Sequence, residues 1–120
     1  MKISEAAAAL TAIAHESRLE IFRMLVKRGP DGYSPGELAE KLAMPGPTLS
    51  FHLKELYRSG LIRSRKQSRY IYYSPNFDCV NGLVEFLTEH CCSLSSGDYS
   101  ECKPAKLSHS RRKISRKRLK

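Results

Sequence analysis

Apolar residues recur at helical spacing in five segments of the chain, and this pattern predicts five α-helices. The first two predicted helices cover residues 4–14 and 16–28. The third and fourth are short and begin at Pro35 and Thr48, and the last begins near Asn76. Each helix presents an apolar stripe that we expect to face a core. The stripes comprise Ala6, Leu10, Ile13 and Ala14; Leu19, Phe22, Leu25 and Val26; Leu38 and Leu42; Leu49, Leu53 and Leu56; and Val80, Leu83, Val84 and Leu87.

Local signals set the helix boundaries. Ser4 is a candidate cap for the first helix, and Ser34 with Glu37 three residues later forms the capping-box pattern of the third. Met44–Pro47 predicts a break before the fourth helix. Cys91 is eleven residues after Val80, about three turns, so the last apolar stripe is expected to continue to it.

After Gly60 the helical spacing of apolar residues ends and a pattern typical of β-strands begins. Residues 61–65 and 70–73 are rich in β-branched and aromatic residues, and the polar run Lys66-Gln67-Ser68 between them predicts a hairpin loop. Two short helices followed by a hairpin form a winged helix-turn-helix, a mainly α fold with a β-hairpin wing. We therefore expect a winged-helix domain over residues 1–92, an effector-binding loop over 93–102, and a disordered tail over 103–120.

Charge is distributed unevenly along the 120 residues, whose formal net charge is +9. Residues 1–102 hold twelve Lys or Arg and twelve Asp or Glu, whereas residues 103–120 hold nine basic residues and no acidic one. A second cluster of basic residues lies within the folded part, from Lys54 to Arg69, opposed only by Glu55. Such a cluster favours a polyanion such as double-stranded DNA, although a solvated surface carries similar charge.

In a helix-turn-helix the second helix enters the major groove and the wing contacts the backbone or minor groove. Ser and Thr suit bases or phosphates, and Lys and Arg suit phosphates. His52 is three residues after Leu49 and is partly turned inward, so packing or a phosphate contact is expected of it. The predicted DNA-contacting residues are Thr48, Ser50, Phe51, His52, Lys54 and Arg58 on the helix, and Arg65, Lys66, Ser68 and Arg69 on the wing.

The run TLSFHLKELYRSGLI, followed by SRYIYYS and preceded by HESRLEIFRML and ELAEKL, resembles the ArsR/SmtB family of metalloregulatory repressors. The resemblance covers about residues 5–90. It implies a homodimer, paired through the first and last helices, that binds operator DNA and leaves it when an effector binds. Large apolar stripes on those two helices agree with such a dimer, which would place two recognition helices about 34 Å apart. Pro45-Gly46-Pro47 and Phe51 depart from the usual family pattern.

Three of the four cysteines lie close together in HCCSLSSGDYSEC, as Cys91, Cys92 and Cys102. Thiolates select thiophilic ions, and three thiolates suit trivalent arsenic or antimony. A similar trio in some arsenite-responsive members of the family implies the same effector, As(III) or Sb(III), here. Cys79 is expected to be a small core residue.

Two other uses of the trio remain open. His90 or His109 could complete a zinc or cadmium site, because zinc prefers four ligands. Cys102 could instead form a reversible disulfide with Cys91 or Cys92, which would make the protein a redox sensor.

Other classes of protein fit less well. The chain carries no phosphate-cradling glycine motif, nucleophile elbow or paired catalytic acids, so we do not expect an enzyme or a catalytic cofactor. No apolar run reaches the roughly 20 residues of a membrane span, and Glu5 interrupts a signal-peptide pattern at the N-terminus. We therefore expect a cytoplasmic protein with no membrane partner.

Overall fold

The computed structural model describes residues 1–94. They form five helices and one antiparallel hairpin in the order predicted for a winged helix-turn-helix. Cys102, most of the expected effector loop and the basic tail lie outside the described residues. The elements are α1 (Ile3–Ile13), α2 (Glu16–Arg28), α3 (Pro35–Leu42), α4 (Gly46–Arg58), β1 (Ile62–Gln67), β2 (Tyr70–Pro75) and α5 (Phe77–Thr88).

The chain divides into two compact units, the first ending at Val80 and the second beginning at Asn81. The first unit contains α1 to α4, the hairpin and the first turn of α5. Its core consists of small residues from α1 and larger aliphatic and aromatic side chains from the other elements. The buried apolar residues of this unit are Ala6, Ala9, Ala12, Ile21, Phe22, Leu25, Leu38, Leu49, Leu53, Leu56, Leu61 and Ile62.

The stripe predicted for α4 is confirmed, but those of α1 and α2 were partly wrong. In α1 three alanines face inward, whereas Leu10 is exposed; in α2 Ile21 is buried, whereas Leu19 and Val26 are exposed. In both helices the buried face is rotated by about one residue from the stripe that the largest side chains suggest. Small residues let α1 approach its neighbours closely, which leaves its larger side chains outside.

Helix beginnings follow capping chemistry. Ser34 and Glu37 form the predicted capping box, with the amide of Glu37 donating to Ser34 Oγ over 3.2 Å. Ser4 does not cap α1, because the helix begins one residue earlier and Glu5 accepts from the amide of Lys2. The predicted break before α4 is shorter than expected, since Gly46 and Pro47 belong to the helix; proline's fixed φ suits a first turn.

The hairpin is longer than predicted. Lys66 and Gln67 belong to β1, and the turn consists of Ser68 and Arg69 alone, with Gln67 paired to Tyr70. On the other side of β2, Tyr33 forms a one-residue bridge, in which it and Tyr73 exchange two backbone hydrogen bonds of 3.0 and 2.8 Å. Gly32 precedes it with φ +76°, and a Cβ there would lie 2.5 Å from the Tyr73 carbonyl oxygen, so this position requires glycine.

Helix α5 ends earlier than predicted. It stops at Thr88, and the left-handed backbone of His90, with φ 59°, lies just past its end. A left-handed residue there is the usual way a helix terminates. The expectation that the helical stripe continues to Cys91 was therefore wrong. No helix among the described residues is long and apolar enough to cross a membrane.

Candidate nucleic-acid interface

Helix α4 separates an apolar face from a polar one. Leu49, Leu53 and Leu56 are buried in the first unit. The opposite side exposes Thr48, Ser50, Phe51, Lys54 and Arg58, which are the outward positions that the sequence predicts. The helix therefore presents two hydroxyls, one aromatic ring and two cations on the side away from the core.

The first turn of α4 is also suited to an anion. It carries no acidic residue, and Pro45 at the N-cap provides no side-chain hydrogen bond to the amides. Unpaired amides at a helix N-terminus, together with the helix dipole, attract phosphate groups. The start of α4 therefore adds positive potential to that of Lys54 and Arg58.

The wing places its basic residues on an exposed hairpin. Lys66, Ser68 and Arg69 are exposed at or beside the turn, and Ser68 has the left-handed φ of 61°. Arg65 is held in place: its guanidinium donates to the Asp31 carbonyl over 2.7 Å, also contacts Gln67, and lies 5.0 Å from the centre of the Tyr72 ring. The wing thus combines one guanidinium held by several contacts with two exposed cations, Lys66 and Arg69.

Two cations of the basic cluster are paired. Arg58 bonds Glu55 and Arg63 bonds Asp78, each over 3.1 Å between exposed partners. Within the part of the chain that the structure describes, Lys54, Lys66 and Arg69 form no ion pair. Exposed pairs contribute little to stability. The three unpaired cations are the ones best placed to neutralise phosphates.

His52 differs from the other residues predicted to contact DNA. It is only 6% exposed, so the structure places it in the protein interior instead of on the DNA-facing side. Arg18 Nη1 lies 3.3 Å from His52 Nδ1, and the His15 ring centre lies 4.8 Å from that of His52. Burial, and then the charges of His15 and Arg18, lower the pKa of His52 below its ordinary value.

Two exposed aromatic residues were not predicted as part of this surface. Tyr57 on α4 is 53% exposed, and Tyr70 at the start of β2 is 56% exposed. Tyr57 lies between the buried Leu56 and the exposed Arg58. Its place next to Arg58 was the sequence signal that could have predicted its exposure. Tyr hydroxyls are common donors to DNA phosphates, so both residues extend the candidate surface.

Sequence comparisons show which protein family the chain belongs to. A helix-turn-helix domain family matches residues 13–65, which run from the end of α1 into β1. The transcriptional activator HlyU of Vibrio cholerae is 34% identical over 74% of this chain and 80% of its own length. The arsenical resistance operon repressor of Bacillus subtilis is 33% identical over 76% of this chain and 83% of its own. This chain belongs to the ArsR-like winged-helix transcriptional regulators.

A structural comparison agrees on the fold. An ArsR-like regulator from Rhodococcus superposes with a TM-score of 0.68 over 92% of this chain and 93% of that one, at 23% identity. The relatives named above are regulators of transcription and not enzymes. This regulator therefore binds DNA through a helix-turn-helix, and the surface of α4 and the wing is its candidate interface.

The cysteine cluster of this regulator is only partly within the described residues. Cys91 is an exposed free thiol, and its Sγ lies 3.5 Å from Sγ of Cys92, which is disulfide-bonded. Among residues 1–94, no three His, Cys, Asp or Glu side chains are grouped as a metal site. The structure thus brings Cys91 and Cys92 together, while Cys102 lies outside the described residues.

Cys79 belongs to a different environment. It is half-buried near the start of α5, where burial and then the charge of Glu5 raise the pKa of its thiol. A raised pKa leaves less thiolate, which is the reactive and metal-binding form. Cys79 is therefore suited to packing, as the sequence predicts, although it is less buried than a core residue.

Proposed function

We propose that this regulator is a homodimeric repressor that holds operator DNA and releases it when As(III) or Sb(III) binds Cys91, Cys92 and Cys102. The observation that carries the effector assignment is the 3.5 Å separation of the Cys91 and Cys92 sulfur atoms just beyond α5. The DNA-binding part rests on family membership and on the surface of α4 and the wing.

Charge and shape support DNA as the partner of that surface. Lys54 and Arg58 lie on the exposed side of α4, and Lys66 and Arg69 lie on the wing. Each cation that neutralises a phosphate adds affinity that falls with salt, whatever the DNA sequence. Thr48 and Ser50, beside the start of α4, are the candidates for reading base edges.

Exposed apolar side chains support the homodimer. On α1, Ile3 and Leu10 are exposed; on α5, Phe77 and Leu87 are exposed, and Leu83 is the one buried residue of that helix. Clusters of exposed large apolar residues commonly mark protein–protein contacts. A two-fold dimer would cover both sets and present two copies of α4 to a palindromic site.

The two adjacent cysteines fit a thiophilic ion. Their sulfur separation of 3.5 Å is less than twice a metal–thiolate bond of about 2.3 Å, so one ion can contact both. Binding requires reduction of Cys92, which is disulfide-bonded in the structure. The arsenical resistance repressor among the relatives supports an arsenic-type effector.

Since α5 carries the exposed apolar residues attributed to the dimer, an ion bound just past its end would alter the spacing of the two recognition helices. Couplings between sites of this kind are typically about 1–3 kcal/mol, or roughly 5–150-fold in affinity.

A thiol redox switch is the second candidate, and the disulfide of Cys92 favours it. In that case oxidation, and not arsenite, would release the DNA. Both candidates use the same thiols, so they differ in the effector and not in the fold. Zinc or cadmium sensing would need a fourth ligand, for which His90 or His109 is the candidate.

The site assignment is tested by comparing two cysteine variants. A duplex selected from a random library by the reduced wild-type protein serves as the probe, and release by As(III) is followed by fluorescence anisotropy. Cys91→Ser is expected to bind the duplex normally and to lose most of the arsenite response. Cys79→Ala is the matched control and should respond like the wild type. A full arsenite response from Cys91→Ser would contradict the assignment.

A further inference from the structure

Arg18 connects three helices through one guanidinium group. Its Nε donates to the Ala12 carbonyl at the end of α1 over 2.6 Å. Its Nη1 faces Nδ1 of His52, on α4, at 3.3 Å. Arg18 itself belongs to α2, so the group joins the recognition helix to both N-terminal helices. The contact lies on the inner side of α4, on the same helix as the exposed Ser50, Phe51 and Lys54.

Hydrogen-bonding chemistry fixes the protonation state of His52 in this contact. A guanidinium has only donors, so His52 Nδ1 must be the acceptor, and the proton of the neutral ring is then on Nε2. A protonated imidazolium has no acceptor atom. Protonation would therefore remove the hydrogen bond and place two cations about 3.3 Å apart.

The groups around His52 do not compensate for such a charge. On α2 it faces Arg18, and at the N-cap of α2 it faces the ring of His15; the charges of both lower the pKa of His52. From α1 the contact brings only the Ala12 carbonyl, which already accepts from Arg18. One turn further along α4, the carboxylate of Glu55 is paired with Arg58.

We infer that Arg18 and His52 are positioning residues for operator binding, and that protonation of His52 weakens specific binding by loosening α4 from α1 and α2. The inference rests on the proposed role of α4 as the recognition helix. Neither residue contacts DNA: each acts by holding the helix that does. Acid would then act on the inner side of α4 and not through the cysteines.

The direction of the pH effect follows from the linkage between protonation and folding. The pKa of His52 is lowered from 6.5, mainly by burial. The folded protein therefore binds the proton less readily than the unfolded chain. The stability that His52 contributes is fully present above pH 6.5 and is lost as the pH falls through the lowered pKa. Specific DNA binding should fall in the same window.

The test measures affinity for the selected duplex and for a scrambled duplex between pH 7.5 and pH 5.5, at fixed salt. Added positive charge strengthens binding to both duplexes, so the ratio of the two affinities isolates the positioning effect. The wild-type ratio is expected to fall by about tenfold, the equivalent of one lost hydrogen bond to a charged group. The histidine NMR signals of the same sample report which ring titrates.

Three variants make the test decisive. His52→Asn offers an amide oxygen to Arg18 but cannot be protonated, so its ratio should change little with pH. His15→Asn keeps a good N-cap and removes a neighbouring cation, so the wild-type transition should move to higher pH. Glu20→Gln, at an exposed position of α2 outside the contact, should match the wild type.

A wild-type ratio that does not change with pH, or that changes equally in His52→Asn, would overturn the inference. If His52→Asn fails to fold, the shift expected for His15→Asn decides the matter alone. Failure of the proposed function is a different result, because a protein that selects no duplex at pH 7.5 gives no ratio at all.

Discussion

Helices α4 and α5 are similar in length and both are amphipathic, but they are stabilised differently. Helix α4 buries Leu49, His52, Leu53 and Leu56, whereas α5 buries only Leu83. The apolar side of α4 is satisfied within its own chain, whereas α5 still exposes Phe77 and Leu87. The contrast indicates that the apolar side of α4 is covered within its own chain, whereas α5 keeps large apolar side chains exposed.

The largest effect is expected from a cavity under α4. Leu56 is fully buried, and Leu56→Ala should lower the free energy of unfolding by about 2–5 kcal/mol. The loss should be the same at every protein concentration, because the contact lies within one chain. Urea denaturation at two concentrations measures it. A loss below about 1 kcal/mol would mean that α4 is not fixed by its buried leucines.

A smaller effect, of a different kind, is expected from α5. Leu87 is 59% exposed. If the homodimer covers it, Leu87→Ala should weaken dimerisation by about 1–2 kcal/mol, the value of a partly buried Leu side chain. Sedimentation equilibrium measures the dissociation constant. Glu85→Ala, an exposed position on the same helix, is the control. Equal dissociation constants for wild type and Leu87→Ala would place the dimer contact elsewhere.

The smallest expected effect is a change in stability at the end of α5, and whether the protein is stabilised or destabilised shows where the helix ends. His90 has a left-handed backbone, which glycine adopts without strain, so His90→Gly should stabilise the protein by about 0.5–1 kcal/mol. Within a continuing helix the same change would destabilise by about 1 kcal/mol. Glu85→Gly, inside α5, should show that loss. Thermal unfolding of both variants distinguishes an early helix end from a continuous one.

Local signals predicted much of the first unit. The bounds of α2 and the capping box of Ser34 and Glu37 were correct, because both depend on residues close in sequence. The leucine stripe of α4 was correct because Leu49, Leu53 and Leu56 recur at helical spacing and so share one face. The burial of Ala6 was predicted, but that of Ala9 and Ala12 was not, because the size of a side chain does not reveal how closely two helices approach.

Longer-range contacts explain the remaining differences. Arg18 and His52 are 34 residues apart, and no local pattern links them. The turn at Ser68 and Arg69 was placed too early, because polar residues such as Lys66 and Gln67 are compatible with a strand exposed to solvent. The Cys91–Cys92 pair was predicted as a functional site from residue chemistry, which does not depend on where α5 ends.

The most direct test of the account is a titration of the reduced wild-type protein on its selected duplex with As(III), Zn(II) and peroxide in parallel, at fixed salt. The account predicts release by As(III) at about one equivalent per chain, with the other two ineffective. Release by peroxide or zinc, with As(III) ineffective, would contradict the arsenic site and leave the winged-helix regulator in place.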